Sequence, residues 1–462
     1  MTELLIRGGT VLTPEGPRVT DVRVAGGVIT SVDKGRPAAG ARVVDVAGMY
    51  VLPGGVDVHV HSRDPGFPEK EDFGTLTAAA AAGGVTTVID MPNTVPAVDS
   101  AGVLEAKSAL ARAKARVDFG LWGLIRSTST PDQLAGLAGA GATGFKAYLG
   151  YAYSLSRKQV LHSFLHGDPD LEAPPDYGTL ARLAPPIADL GLPLVIHAED
   201  PAILHAFSRP FESYSDVLAA RPSGAEAVAI AATAAVVRPL GIRLHIAHVS
   251  SAAGLGSAEE ALAAGTIVSI ETCPHYLWLS EDDYPRLGTA MRINPPVRTQ
   301  ADRSALRDGL RRGAITIVGT DHAPHTDDEK ARGLDEAPPG SPGVQTLYLS
   351  CLELARQMGD EWMAARWVSE APAALAGLSQ SKGRIAPGYD ADLVVVDPKR
   401  GTTFTPRAMR SKQKHGALEG LKSSYSISAV YLRGTPVVVD GRLAARASGR
   451  MVRPAGMGAP TR

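Results

Sequence analysis

Two histidines lie two residues apart in Val56-Asp57-Val58-His59-Val60-His61. Apolar and polar residues alternate there, which is the period of a β-strand. Residues two apart on a strand share a face, so His59 and His61 project together and can chelate one metal ion. Arg63 continues that parity and would set a fixed positive charge beside the ion. A half-buried strand carrying two hydrogen-bonded histidines shows the same pattern, so the rest of the chain must discriminate.

From Val56 onward the chain alternates strand-like and helix-like stretches. The expected strands are Val56–Val60, Val85–Asp90, Phe119–Leu124, Gly144–Leu149, Leu194–Ala198, Leu244–Val249, Ile267–Glu271 and Ile315–Thr320. Between them lie Ala/Leu/Glu-rich stretches of helical character at 101–115, 178–190, 223–239, 257–264 and 302–312. Such alternation indicates a parallel sheet, and eight units indicate a (β/α)₈ barrel of the α/β class. Chemistry in that fold gathers at the C-terminal ends of the strands. His59 and His61, Asn93, Lys146, His197, His248 and Asp321 all fall at or near such ends. Cys273 and His275, after the seventh strand, are expected at the same mouth. Independent core histidines have no reason to converge on one barrel face, so the joint pattern favours a metal site.

Residues 1–51 read as short strands, with Gly26-Gly27 marking a hairpin. Strand-like Leu393–Val396, Val430–Arg433 and Val437–Val439 follow the barrel. These are expected to pair across the chain in a small discontinuous β-sandwich. The division is then 1–51 and 384–452 for the sandwich, 52–383 for the barrel, and 453–462 for a Pro/Gly-rich tail.

The formal net charge of −1 argues against a nucleic-acid partner. Two cysteines, Cys273 and Cys351, give no disulfide framework and suit a reducing cytoplasmic setting. The N-terminal residues carry no signal-peptide pattern, and no apolar run is long enough to suggest a membrane span.

Together these motifs resemble the cyclic amidohydrolase branch of the amidohydrolase superfamily: dihydroorotases, allantoinases and hydantoinases. The resemblance rests on Gly54–His61, Ala82-Gly83-Gly84-Val85-Thr86-Thr87, Gly144-Phe145-Lys146, His197-Ala198-Glu199, His248-Val249-Ser250-Ser251, Thr320-Asp321-His322 and Gly383-Arg384-Ile385. It implies that His59, His61 and Asp321 bind one divalent ion, and His197 and His248 a second. A carbamylated Lys146 would bridge the two. Zinc is the default for such ligands. It also implies that Asp321 is the catalytic base and that the chain forms a homodimer or homotetramer.

Within the branch, Arg63, Asn93 and His325 match the residues that hold the substrate carboxylate in dihydroorotases. Asn294, in Asn294-Pro295-Pro296, resembles a residue contacting the ring. The expected activity is therefore the interconversion of dihydroorotate and N-carbamoyl-aspartate, in pyrimidine biosynthesis. Two residues point elsewhere. Ser62 stands where a leucine is common, and Tyr151 matches a hydantoinase tyrosine that helps bind the substrate carbonyl. The alternatives are an allantoinase, a hydantoinase or an imide hydrolase. A non-catalytic scaffold paralogue is the remote one, because it predicts eroded ligands and all six are present.

Overall fold

The structure is a computed structural model describing residues 3–35, 37, 39–162, 167–266, 268–445 and 448–455. Eight parallel strands follow one another around a barrel: β1 (Gly55–Val60), β2 (Val85–Asp90), β3 (Asp118–Ile125), β4 (Gly144–Tyr148), β5 (Pro193–His197), β6 (Arg243–Ile246), β7 (Val268–Thr272) and β8 (Ile317–Val318). The residues just past β8 close the ring on β1. The His61 N–H donates to the His322 carbonyl at 2.8 Å, and the His322 N–H to the His59 carbonyl at 3.3 Å.

Helices cover the outside. Their N-termini are fixed by side chains that take up backbone donors left free by helix geometry. Asp72 accepts from Thr75 at the start of Phe73–Ala82, and Ser251 accepts from Gly254 at the start of Ala252–Ala263. Phe119, Leu121, Phe145, Leu194, Ile196 and Ile246 face outward against Leu137, Leu183, Ile230 and Leu255 from those helices. A second cluster draws Val56, Val58, Ile89, Trp122, Val195 and Ile317 from different strands, with Leu375 and Leu378 beneath. Side chains from so many strands can meet only in the interior, so the barrel is a packed core.

The register of β1 shifts between Asp57 and Val60. A bulge of this kind re-aims side chains. Val56 and Val58 therefore fill the interior, and His59 and His61 then take the same interior direction at the strand end. Simple alternation over 56–61 does not anticipate that break. β8 is also shorter than the expected Ile315–Thr320, because Thr320 leaves the ladder and donates its N–H and hydroxyl to the Asp57 carboxylate. Ile267, the expected start of the seventh strand, lies outside the described residues. After β4 the chain adds a three-stranded antiparallel sheet, with Ala152–Ser154 in the centre flanked by Gln159–Leu161 and Leu171–Glu172, which periodicity does not reveal.

The two ends of the chain share a nine-stranded sheet. Its junction is the antiparallel pairing of Tyr50–Pro53 with Leu393–Asp397, where Leu52 faces Val394. Ile6, Val11, Val51, Leu393, Val395 and Tyr431 form its core. Residues 449–452 run back onto the barrel, where the Val452 N–H donates to the Phe119 carbonyl at 2.8 Å. Residues 456–462 of the expected tail lie outside the described residues.

By length and composition the stretch Tyr214–Leu240 could cross a bilayer. Here it is interrupted at Arg221-Pro222, and its second helix, Ser223–Val237, packs on the helices Tyr177–Asp189 and Ala252–Ala263.

Candidate active site

At the C-terminal mouth of the barrel the expected ligands converge. His59 Nε2 lies 3.4 Å from Asp321 Oδ1, and His61 Nε2 lies 2.9 Å from the same oxygen. His197 Nδ1 and His248 Nε2 face each other at 2.9 Å. The His59 and His248 rings, 5.1 Å apart between centroids, link the two groups.

Neighbouring acceptors decide which nitrogens carry lone pairs. A carboxylate only accepts, so His59 Nδ1, 2.7 Å from Glu271 Oε1, carries the proton. His197 Nε2 donates likewise to Glu199 Oε2 at 2.7 Å, and His61 Nδ1 to Asn93 Oδ1 at 2.7 Å. His59 Nε2 is then left with a lone pair facing Asp321, and His197 Nδ1 with one facing His248, while His61 sits between two acceptors and needs either a proton or a cation on the Nε2 that faces Asp321. Lone pairs and a carboxylate crowded together in a buried site repel unless a cation lies among them. Burial also favours neutral His61, His197 and His248, which lowers their pKa values and suits them to ligation.

Glu271 holds more than His59. Its second oxygen lies 3.2 Å from His245 Nε2, and Oε1 also accepts the His248 backbone N–H at 3.1 Å. Burial alone would raise its carboxyl, but electrostatic attraction to His59 and the hydrogen bonds from His245 and His59 hold it below the usual carboxylate range. Glu199 is fixed by Arg221, whose Nε donates at 3.0 Å. The Asp321 carboxyl likewise resists burial and stays ionised beside His59 and His61.

Lys146 is fully buried, and its Nζ has no hydrogen-bond partner. Burial lowers its pKa to about 8 against the pull of Glu271 and Asp321. Its charge is felt by His197, His245 and His248. An unpartnered ammonium there is costly. A carbamate on the same nitrogen would offer two anionic oxygens to cations held by the histidines. The residues present therefore fit a pair of divalent ions.

Three non-glycine residues at this mouth adopt left-handed backbone: Arg63 at φ 60°, His248 at φ 40° and Asp321 at φ 46°. Such conformations cost on the order of 1–3 kcal/mol each and persist where the surroundings over-determine them. Each re-aims a side chain into the mouth as its strand ends.

Arg63, Asn93, Asn294 and Tyr151 line the cavity with the histidines and Asp321. His325 does not. It stands behind Arg63, with Nε2 3.1 Å from Arg63 Nη2 and 3.0 Å from the Pro339 carbonyl. Burial and the nearby Arg63 lower its pKa to about 3, so it is neutral. Ser62 points away from the cavity. Its N–H and hydroxyl both donate to Asp90, at 2.6 and 2.8 Å, and Asp90 pairs with buried Lys107 at 2.5 Å. Tyr151 lies over His197, ring centroids 4.5 Å apart. Cys273 and His275 do not line the cavity. Cys273 is fully buried, and burial pushes its thiol up, away from reactivity.

Several functional side chains escape sequence reasoning. Glu271 shows a weak signal, the last polar residue of an alternating strand end. Tyr148 shares the parity of Lys146 and lines the cavity. Arg221 and His162 carry no signal. Arg221 sits in a break between helices, and His162 reaches the cavity from the end of the small sheet's strand Gln159–Leu161, edge-on to Tyr151 at 4.8 Å. Gly340 lines the opposite wall at φ 141°, where a Cβ would meet the Ala323 carbonyl at 2.2 Å. A second carboxylate group, Asp118, Asp390 and Asp392, also has metal-like spacing. Lys382 Nζ already serves it, 2.9, 3.0 and 2.7 Å from the three.

Comparison with known proteins agrees with this geometry. The amidohydrolase family model matches residues 188–437, and a dihydro-orotase-like model matches 48–148. An allantoinase of Streptomyces avermitilis is 38% identical over 444 residues, 95% of this chain and 96% of that protein. A dihydroorotase of Methanothermobacter thermautotrophicus is 34% identical over 428 residues, 92% of each. Among solved structures, the L-hydantoinase (dihydropyrimidinase) from Arthrobacter aurescens superposes with a TM-score of 0.90 at 27% identity, covering 98% of this chain and 100% of its own. With its candidate metal-ligating residues gathered at the mouth of the barrel, this chain belongs to the amidohydrolase family, in its cyclic amidohydrolase branch.

Proposed function

We propose that the protein opens, and in reverse closes, a cyclic amide whose ring carries a carboxylate, with dihydroorotate as the substrate and N-carbamoyl-aspartate as the product. The observation that carries this is Arg63. Its guanidinium lines the cavity, is buried, and pairs with no carboxylate among the described residues. Its partners are the Pro324 carbonyl at 3.2 Å and the neutral His325. A buried planar fork with no carboxylate bonded to it suits a carboxylate on the ligand.

In this reading His59, His61 and Asp321 hold one divalent ion, zinc by default, and His197 and His248 hold the other. Carbamylated Lys146 joins them. When bound, such ions supply a nucleophilic water at neutral pH and polarise the amide carbonyl. The chain's own residues do the rest. Arg63 and Asn294 orient the ring by its oxygens. Asp321, ionised and beside the histidines, accepts the proton of the attacking water at a carboxylate oxygen. It then delivers that proton to the departing ring nitrogen. The Tyr151 hydroxyl, raised by burial, keeps its proton and donates to the carbonyl oxygen as charge develops there.

A second reading is allantoin. It is favoured by the name of the Streptomyces relative at 38% identity and by Tyr151 and Asn294, which suit uncharged ring carbonyls. Arg63→Met separates the two. The anionic reading expects turnover of dihydroorotate to fall steeply while weak activity on uncharged rings survives. If both fall together, or neither does, Arg63 does not read a carboxylate.

A further inference from the structure

Two residues before Asn294, Arg292 is 7% exposed and lies outside the cavity wall. Its Nη1 is 2.6 Å from Asn294 Oδ1. Its guanidinium lies over the face of Phe211, 4.9 Å from the ring centroid. It pairs with no carboxylate among the described residues, and its Nε has no hydrogen-bond partner. The backbone of residue 292 is pinned as well. Its carbonyl accepts the Gly340 N–H at 2.8 Å and Lys330 Nζ at 3.2 Å.

A guanidinium has donors and no acceptor. The Asn294 atom facing it must be the oxygen, which fixes the orientation of an amide that is otherwise free to flip. The amide nitrogen then points away from Arg292, on a residue that lines the cavity. Burial and Arg221 lower the Arg292 pKa to about 10, so it remains charged at neutral pH.

We propose that Arg292 is a positioning residue. It turns the Asn294 amide so that the cavity is offered N–H donors, matched to a carbonyl or carboxylate oxygen of the substrate. The relay rests on the cyclic-amide reading of the site and adds a residue that does not touch substrate.

The test is a double-mutant cycle on metal-replete enzyme, using whichever ring the wild type opens fastest. Arg292→Met and Asn294→Ala should each raise KM roughly ten- to a hundredfold, as expected for losing a charge-assisted or substrate hydrogen bond, with kcat changed far less. The double variant should be no worse than the more damaged single, because both remove one relay. Asn294→Asp should match Asn294→Ala in KM yet keep the melting temperature, since its carboxylate still pairs with Arg292 and offers no N–H. Arg292→Lys keeps a donor to Oδ1 and should recover most of the KM. If the two single effects multiply in the double variant, or Asn294→Asp binds like wild type, the relay is overturned. If the methionine variant does not fold, Arg292→Gln replaces it, since its amide can turn either its oxygen or its nitrogen to Asn294 and so no longer fixes that amide: its rise in KM should not multiply with that of Asn294→Ala, and multiplication overturns the relay. A wild type that opens no cyclic amide overturns the site reading instead, before any variant is needed.

Discussion

Glu271 Oε1 stands 2.7 Å from His59 Nδ1, behind the imidazole that faces Asp321. This contact fixes the His59 tautomer and raises its basicity as a ligand. Glu271→Gln keeps the shape but weakens the acceptor. Metal affinity should fall about 10–100-fold, read by chelator competition against purified holoenzyme. Unchanged affinity would mean the carboxylate only fills space.

Lys146 should be modified in the active protein. Burial lowers its pKa from the ordinary 10.5 to about 8, so the neutral amine that reacts with carbon dioxide is roughly 300-fold more abundant at neutral pH than on an ordinary lysine. ¹³C-bicarbonate should give a carbamate NMR signal that is lost in Lys146→Ala. That variant should lose its metals and most turnover, and short carboxylic acids with added metal should restore part of it. Wild-type turnover and metal content in Lys146→Ala would remove the bridge.

Lys382 concerns stability. Burial would lower its pKa, but Asp392, Asp118 and Asp390 outweigh it and raise the pKa above the ordinary 10.5. A raised lysine pKa gives a contribution fully present below about pH 10.5, lost only as pH rises through the higher folded value. Lys382→Met leaves buried carboxylates facing one another and should cost about 3–5 kcal/mol. Thermal melts should show the loss at pH 7, with no relief as pH rises to 9. A variant as stable as wild type would contradict the assignment.

The candidate metal ligands were legible because each sits at a strand end, where barrel topology forces convergence. His59 and His61 announce themselves two residues apart, and Asp321 follows the last strand. The contacts that tune them were not, because they depend on position in space. Arg221 reaches Glu199 from a break between helices, and His325 falls behind Arg63 rather than beside it. Ser62 is a departure that bears on substrate in the sequence, yet its side chain donates to Asp90, which pairs with Lys107 away from the cavity. The strand-eight boundary failed for a similar reason. Thr320 is apt for a strand, but the buried Asp57 carboxylate draws it out of the ladder.

The central claim is that the site recognises an anionic ring. The most direct measurement is kcat/KM of metal-replete wild-type enzyme for dihydroorotate, dihydrouracil, hydantoin and allantoin side by side. An unpaired buried Arg63 would cost a ring without a carboxylate on the order of 2–5 kcal/mol, or roughly thirty- to several-thousandfold. Dihydroorotate should therefore exceed each uncharged ring by at least about thirtyfold. A preference for allantoin, hydantoin or dihydrouracil would contradict the carboxylate reading.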